Sequence, residues 1–288
     1  MVTVQQHSAR RLFLSVTALL LLLVGYTSFR FPHKYVRVTG SCESNWLKLD
    51  DTPKDALEVV CCDGINRATP CYSGIDIMPV LSSLQGAWLI PMVPLVANYV
   101  CVMLGPNTTM PRIRPLVRRA LMYIALMAFR TFVLFMGFGA VEDRIMHLLL
   151  GSTMPSTCEY AHLRRHNKCA EHFDHSDHIV LLVTHFLAVT LFEWFALSVE
   201  IPTPWYTSVK KTFLRLLLLA VGAVAAYMLF FTASHFHSPW ENVVAMLIAQ
   251  MFGMLPMYLL SQDRFAAYKY LQLKHFVRPP TDVKSKAP

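Results

Sequence analysis

Two histidines sit where a polar loop gives way to an apolar run. His178 closes the stretch Phe173-Asp174-His175-Ser176-Asp177-His178 and opens Ile179-Val180-Leu181-Leu182-Val183. His237 lies in Phe236-His237-Ser238-Pro239-Trp240-Glu241, directly before another apolar run. Each position is the start of a helix, where unpaired backbone N–H groups and the helix dipole favour an anion. Two imidazoles beside such donors suit phosphoryl transfer. One neutral ring attacks phosphorus, and the other, protonated, donates to the leaving oxygen. A structural reading stands beside this one, and on composition and spacing alone it is the favoured one. Histidines at membrane boundaries are common, and Glu241 fits as the carboxylate of a capping box begun by Ser238. The loop histidines His162, His166, His172 and His175 and the loop cysteines lack the tight ligand spacing of a zinc site.

The elements that must position these residues are membrane spans. The chain is 55% apolar and 15% charged, against about a quarter charged in a soluble domain. A span needs about 20 apolar residues to cross roughly 30 Å of hydrocarbon. Six stretches qualify: Leu12–Phe29, Leu81–Leu104, Ala120–Ala140, His178–Val199, Thr212–Ala233 and Pro239–Ser261. The expectation is an all-α polytopic membrane protein whose residues 1–288 form a single transmembrane domain. The net charge of +8 is scattered around the spans rather than gathered on one face, so no nucleic-acid partner is expected. Loop charge bias explains it.

That bias orients the chain. Arg10 and Arg11 precede span 1; Arg112, Arg114, Arg118 and Arg119 fill the span 2–3 loop without an acid. Lys210, Lys211 and Arg215 flank the span 4–5 connection, and the C-terminal tail is basic. The loops at 30–80 and 141–177 mix both signs. By the positive-inside rule both termini are cytosolic and those two loops are luminal. Cysteine supplies an independent check: six of seven (Cys42, Cys61, Cys62, Cys71, Cys158 and Cys169) fall in the luminal loops, as an oxidising compartment favours. Their pairing stays open. His178 and His237 then face the lumen together.

Along the chain, Pro91 and Pro94 are expected to kink span 2. The sequon Asn107-Thr108-Thr109 falls on the cytosolic side and reads as a chance match. Arg130 lies near the middle of the expected span 3, where a charge costs roughly 2.5–3.5 kcal/mol on insertion scales. It is either a structural tie, with Glu193 as candidate partner, or an anion-binding cation. Asp174 or Ser176 is expected to cap span 4. His185, two turns further on, reads as a packed polar residue. Lys284-Ser285-Lys286-Ala287-Pro288 resembles the C-terminal lysine signal for retrieval to the endoplasmic reticulum.

From Arg130 onward the residues resemble, in order, the fat-storage-inducing transmembrane (FIT) family of the endoplasmic reticulum, which is distantly similar to the lipid phosphate phosphatases. The run is Arg130, Glu142-Asp143, Cys158-Glu159, Cys169, Ser176-Asp177-His178, Glu193, Phe236-His237 and Glu241-Asn242-Val243-Val244. His178 is similar to the histidine ending the phosphatases' Pro-Ser-Gly-His motif, and His237 with Glu241 to their His-x-x-x-Asp motif. Departures accompany it. No arginine shortly precedes His237, and no counterpart of the phosphatases' lysine and Arg-Pro motif is present. Ala245 stands where glycine is usual. Asp177 replaces a small residue, putting a negative charge beside the expected phosphate position.

The resemblance implies a lipid-phosphatase-like helical core in spans 3–6. It also implies hydrolysis of the phosphoanhydride of fatty acyl-CoA in the lumen, in support of lipid-droplet formation. His237 would be the nucleophile, His178 the general acid, Glu241 the residue orienting His237, and Arg130 a source of charge support. No metal or organic cofactor is implied. Two rival readings are a non-catalytic binder of triacylglycerol or diacylglycerol, and a proton-coupled transporter using Arg130, Glu193 and the span histidines. A transporter more often places its charges at the midplane of broken helices, whereas these histidines lie at one surface.

Overall fold

The structure, a computed structural model, describes residues 2–30, 77–104, 110–137, 140–141, 144, 176–199, 208–235, 237, 239–262 and 265. Six helices are long and apolar enough to cross a membrane: α1 Arg11–Arg30, α2 Leu84–Met103, α3 Ile113–Gly137, α4 Asp177–Ser198, α5 Val209–Ser234 and α6 Pro239–Ser261. The protein is an all-α polytopic membrane protein, as its composition requires. The cysteines and histidines of the loops at 30–80 and 141–175, Glu142, Asp143, Asn107, Asp174, Ser238, the side chain of His235, and Lys284 and Lys286 lie outside the described residues.

The bundle is built around α4. In its most apolar window 94% of residues are buried, against 22–39% in the other five, so α4 is the central helix and the rest meet lipid. Its sequence is mostly apolar, and its polar residues Thr184, His185, Thr190 and Glu193 are buried as well, as in a helix enclosed by others. It packs against each of the other five spans. Large side chains fill the space around it, among them Phe186, Phe192, Tyr123 and Met127. The outward faces of α1, α2, α3 and α5 carry exposed Leu, Val and Phe, including Leu22, Val96, Phe132 and Leu216. That surface is matched to hydrocarbon rather than water.

Where a kink of α2 is expected, the helix passes through a 3-10 stretch, Ile90–Met92, that contains Pro91 and is followed by Pro94. The more consequential departure is in α3. Its helix runs from Met110 to Ala128 and continues in π-helical form over Phe129–Gly137. Arg114, Arg118 and Arg119, expected in a cytosolic loop, are helical residues of its first turns. Arginine is a good helix former, and Arg119 finds a buried acid to pair with. With the span displaced in this way, Arg130 is not near the middle. It sits seven residues from the end of α3, in the π-helical stretch Phe129–Gly137.

Among the described residues two further π-helical turns occur, Leu182–Leu187 in α4 and Gln250–Met254 in α6. They pack against each other, and Gly253 is what permits it. A Cβ at Gly253 would lie 2.6 Å from Thr184 Cγ2 and 3.2 Å from Thr184 Cα. Gly253→Ala is therefore expected to destabilise the bundle by about 1–3 kcal/mol, the usual range for overpacking. Thr184→Ser keeps the hydroxyl that donates to the Val180 carbonyl at 2.7 Å and removes the clashing methyl. Added to Gly253→Ala, it is expected to recover most of the loss. Unfolding midpoints in detergent micelles check both steps, and an unmoved midpoint for Gly253→Ala would mean that α4 and α6 do not meet there.

Candidate functional site

One end of the bundle gathers the start of α4, the start of α6 and the end of α3. Helix α4 begins because the Ser176 carbonyl accepts from the Ile179 and Val180 amides at 3.0 and 3.2 Å. Ser176 occupies the capping position, as the residue type suggests. Its hydroxyl nevertheless makes no cap bond, and the Oγ is buried without a partner.

Asp177, the first helical residue, meets Arg130. The Arg130 Nη2 donates to the Asp177 carboxylate, and to its carbonyl at 3.1 Å. Arg130 is 6% exposed, and its guanidinium also lies 5.2 Å from the Phe135 ring centroid. The expected tie between Arg130 and Glu193 is thus replaced. Arg130 holds Asp177 because both stand at the same end of the bundle, while Glu193 is near the other. The negative charge beside His178 is balanced by a cation from α3.

His178 follows, half-buried on the first turn of α4. That turn packs against the first part of α6, which brings the two histidine-bearing ends together. His237 stands before α6, 12% exposed at its side chain, with Nδ1 3.7 Å from Oε2 of the 2%-exposed Glu241. This spacing suits charge attraction and is longer than a hydrogen bond. A carboxylate facing Nδ1 leaves Nε2 as the ring nitrogen open to an external electrophile, the logic by which an acid orients a reactive histidine.

Asn242, a residue given no role by sequence reasoning, locks this corner. Its Nδ2 reaches Ser28 Oγ at 2.9 Å, the Ala233 carbonyl at 3.1 Å and the His237 carbonyl at 3.4 Å. Asn242 is fully buried, and through it α1, α5 and the His237 connection are tied to α6. An amide placed at the head of an apolar helix was the available signal. Beside it, Trp240 is exposed and meets Phe29 edge-on at 6.3 Å, as aromatic residues do at a membrane interface.

Two other polar groups lie deeper. His185 is fully buried; its Nδ1 lies 2.9 Å from the Ala87 carbonyl and its ring is edge-on to Trp88. It is the packed residue expected, tying α4 to α2. Toward the far end of α4, Glu193 Oε1 accepts from the Tyr123 hydroxyl at 2.6 Å and pairs with Arg119 Nε at 3.2 Å. All three are buried. Among the described residues no three His, Cys, Asp or Glu side chains converge as a metal would need.

The structure thus places Arg130, His178, His237 and Glu241 at one end of the bundle and sets Glu193 and His185 apart. No family model, curated protein or solved structure matches the chain.

Proposed function

We propose that the protein is a hydrolase of fatty acyl-CoA, cleaving its phosphoanhydride to acyl 4′-phosphopantetheine and adenosine 3′,5′-bisphosphate. The observation that carries this reading is the buried Glu241 carboxylate facing His237 Nδ1 at 3.7 Å, at the end of the bundle where α4 presents His178. His237 Nε2 attacks one phosphorus of the anhydride and forms an N–P bond as the bridging P–O bond breaks. His178 gives its proton to the departing phosphate oxygen. Water, deprotonated by His178, then cleaves the N–P bond and restores both rings. The net reaction consumes one water and one anhydride bond. Glu241 stabilises the charge that develops on His237 during attack, as a buried carboxylate does for a reacting imidazole.

The membrane supplies the rest of the fit. An acyl chain remains among the apolar outer faces of the helices while the nucleotide end lies at the bundle end. The resemblance to the FIT family supports a place in the endoplasmic reticulum, a site in the lumen, and turnover that serves lipid-droplet formation and neutral-lipid balance. Purified protein in micelles, given a long-chain acyl-CoA, is expected to release the two products in equal amounts by mass spectrometry. Intact, folded protein that releases neither would reject the reading.

The orientation has its own test. Tags at either terminus are expected to be removed by protease added to sealed microsomes, while residues 30–80 stay protected until the membrane is opened. Glycan attached to native Asn107 would invert the assignment.

A further inference from the structure

Resting on the hydrolase reading, we propose that Asp177 is an internal anion that occupies Arg130 until the substrate's phosphates displace it, and so sets how tightly phosphate groups bind. Three observations carry this. The pair is made through one nitrogen: Nη2 alone serves both the carboxylate and the carbonyl of Asp177. The Arg130 Nε is buried without a hydrogen-bond partner, and so is the second carboxylate oxygen, Asp177 Oδ1. The adjacent Ser176 Oγ, fully buried, is orphaned as well.

A guanidinium matches a carboxylate or phosphate best through two parallel N–H bonds, and buried polar groups are ordinarily satisfied. The Arg130–Asp177 contact meets neither standard. A pyrophosphate, with more acceptor oxygens and more charge than one carboxylate, engages Nε and Nη2 together and can take the Ser176 hydroxyl. Asp177 is also free to leave. Its side chain is 26% exposed while that of Arg130 is 7% exposed, so the anion can turn to water while the cation stays. The residue directly precedes His178, so the phosphates that replace its carboxylate arrive beside the proposed proton donor. An aspartate at this point is therefore a competitor that weakly charged ligands do not displace.

The test is binding of inorganic pyrophosphate and of inorganic phosphate to purified full-length protein, by calorimetry in micelles, with unfolding midpoints measured alongside. Asp177→Asn and Asp177→Ser are each expected to tighten pyrophosphate binding by about tenfold or more, the scale of one charge pair near a protein surface. Asp177→Glu keeps the anion and is expected to bind as the parent does. Arg130→Gln added to Asp177→Asn is expected to abolish the gain. Either neutral variant suffices if the other fails to fold. Pyrophosphate affinity that is unchanged or weaker in folded Asp177→Asn or Asp177→Ser protein, with only the midpoint lowered, would overturn the proposal in favour of a structural tie. Because the readout is binding, the two ideas separate. Acyl-CoA cleavage with no gain in the variants ends this inference alone, and a gain without cleavage ends the hydrolase reading alone.

Discussion

His237→Ala protein is expected to insert and fold as the parent does and to lose essentially all acyl-CoA cleavage. The side chain is mostly buried in the connection before α6. The Asn242 bonds that hold this corner reach the His237 carbonyl, which alanine retains. His178→Ala removes proton donation to the leaving group, a role worth roughly 10²–10⁴-fold in rate. Since both rings serve one reaction, the double variant is expected to be little worse than His237→Ala alone. His235→Ala removes a neighbouring imidazole and is expected to keep full rate. Single-turnover rates per folded molecule read all four. Full activity in well-folded His237→Ala would remove the nucleophile assignment, and a dead His235→Ala would move it by two residues. If the histidines were only boundary residues, losses would track protein abundance instead.

The largest effect on stability is expected at the other end of α4. Glu193→Ala leaves Arg119 in a buried setting without the carboxylate it pairs with at 3.2 Å, a change that typically costs about 3–5 kcal/mol. Tyr123→Phe removes one hydrogen bond to that carboxylate, and the expected loss is about 1.5–3 kcal/mol. Replacing all three polar partners, as Arg119→Met and Glu193→Leu with Tyr123→Phe, is expected to restore most of the stability. Apolar pairs of similar volume often match or exceed buried ion pairs. Unfolding in micelles gives the magnitudes, and acyl-CoA cleavage per folded molecule is expected to be unchanged throughout. A specific loss of activity in folded Glu193→Ala would instead bring Glu193 into the chemistry and favour the transporter-like use of buried charge.

Span number and type were legible in the residues, because crossing hydrocarbon demands a long apolar run whatever the tertiary structure. The pairing of helix starts was legible for a related reason. Six alternating spans put the entries of α4 and α6 on one face, so His178 and His237 could be set together from order alone.

What only the tertiary structure decided was who meets whom. Glu193 was the candidate partner for a tie from Arg130 as long as α3 was started at Ala120. Starting it at Ile113 lifts Arg130 toward the end where Asp177 begins α4, and brings Arg119 down to Glu193. Hydropathy reports whether a residue is favourable in lipid, so it stops α3 at the arginines. It has no account of an arginine whose charge is matched by an acid on another helix. The contact of Gly253 with Thr184 and the threefold grip of Asn242 were hidden in the same way. Both depend on the rotation and depth at which helices pack, and a uniformly apolar helix carries no stripe from which that rotation can be read.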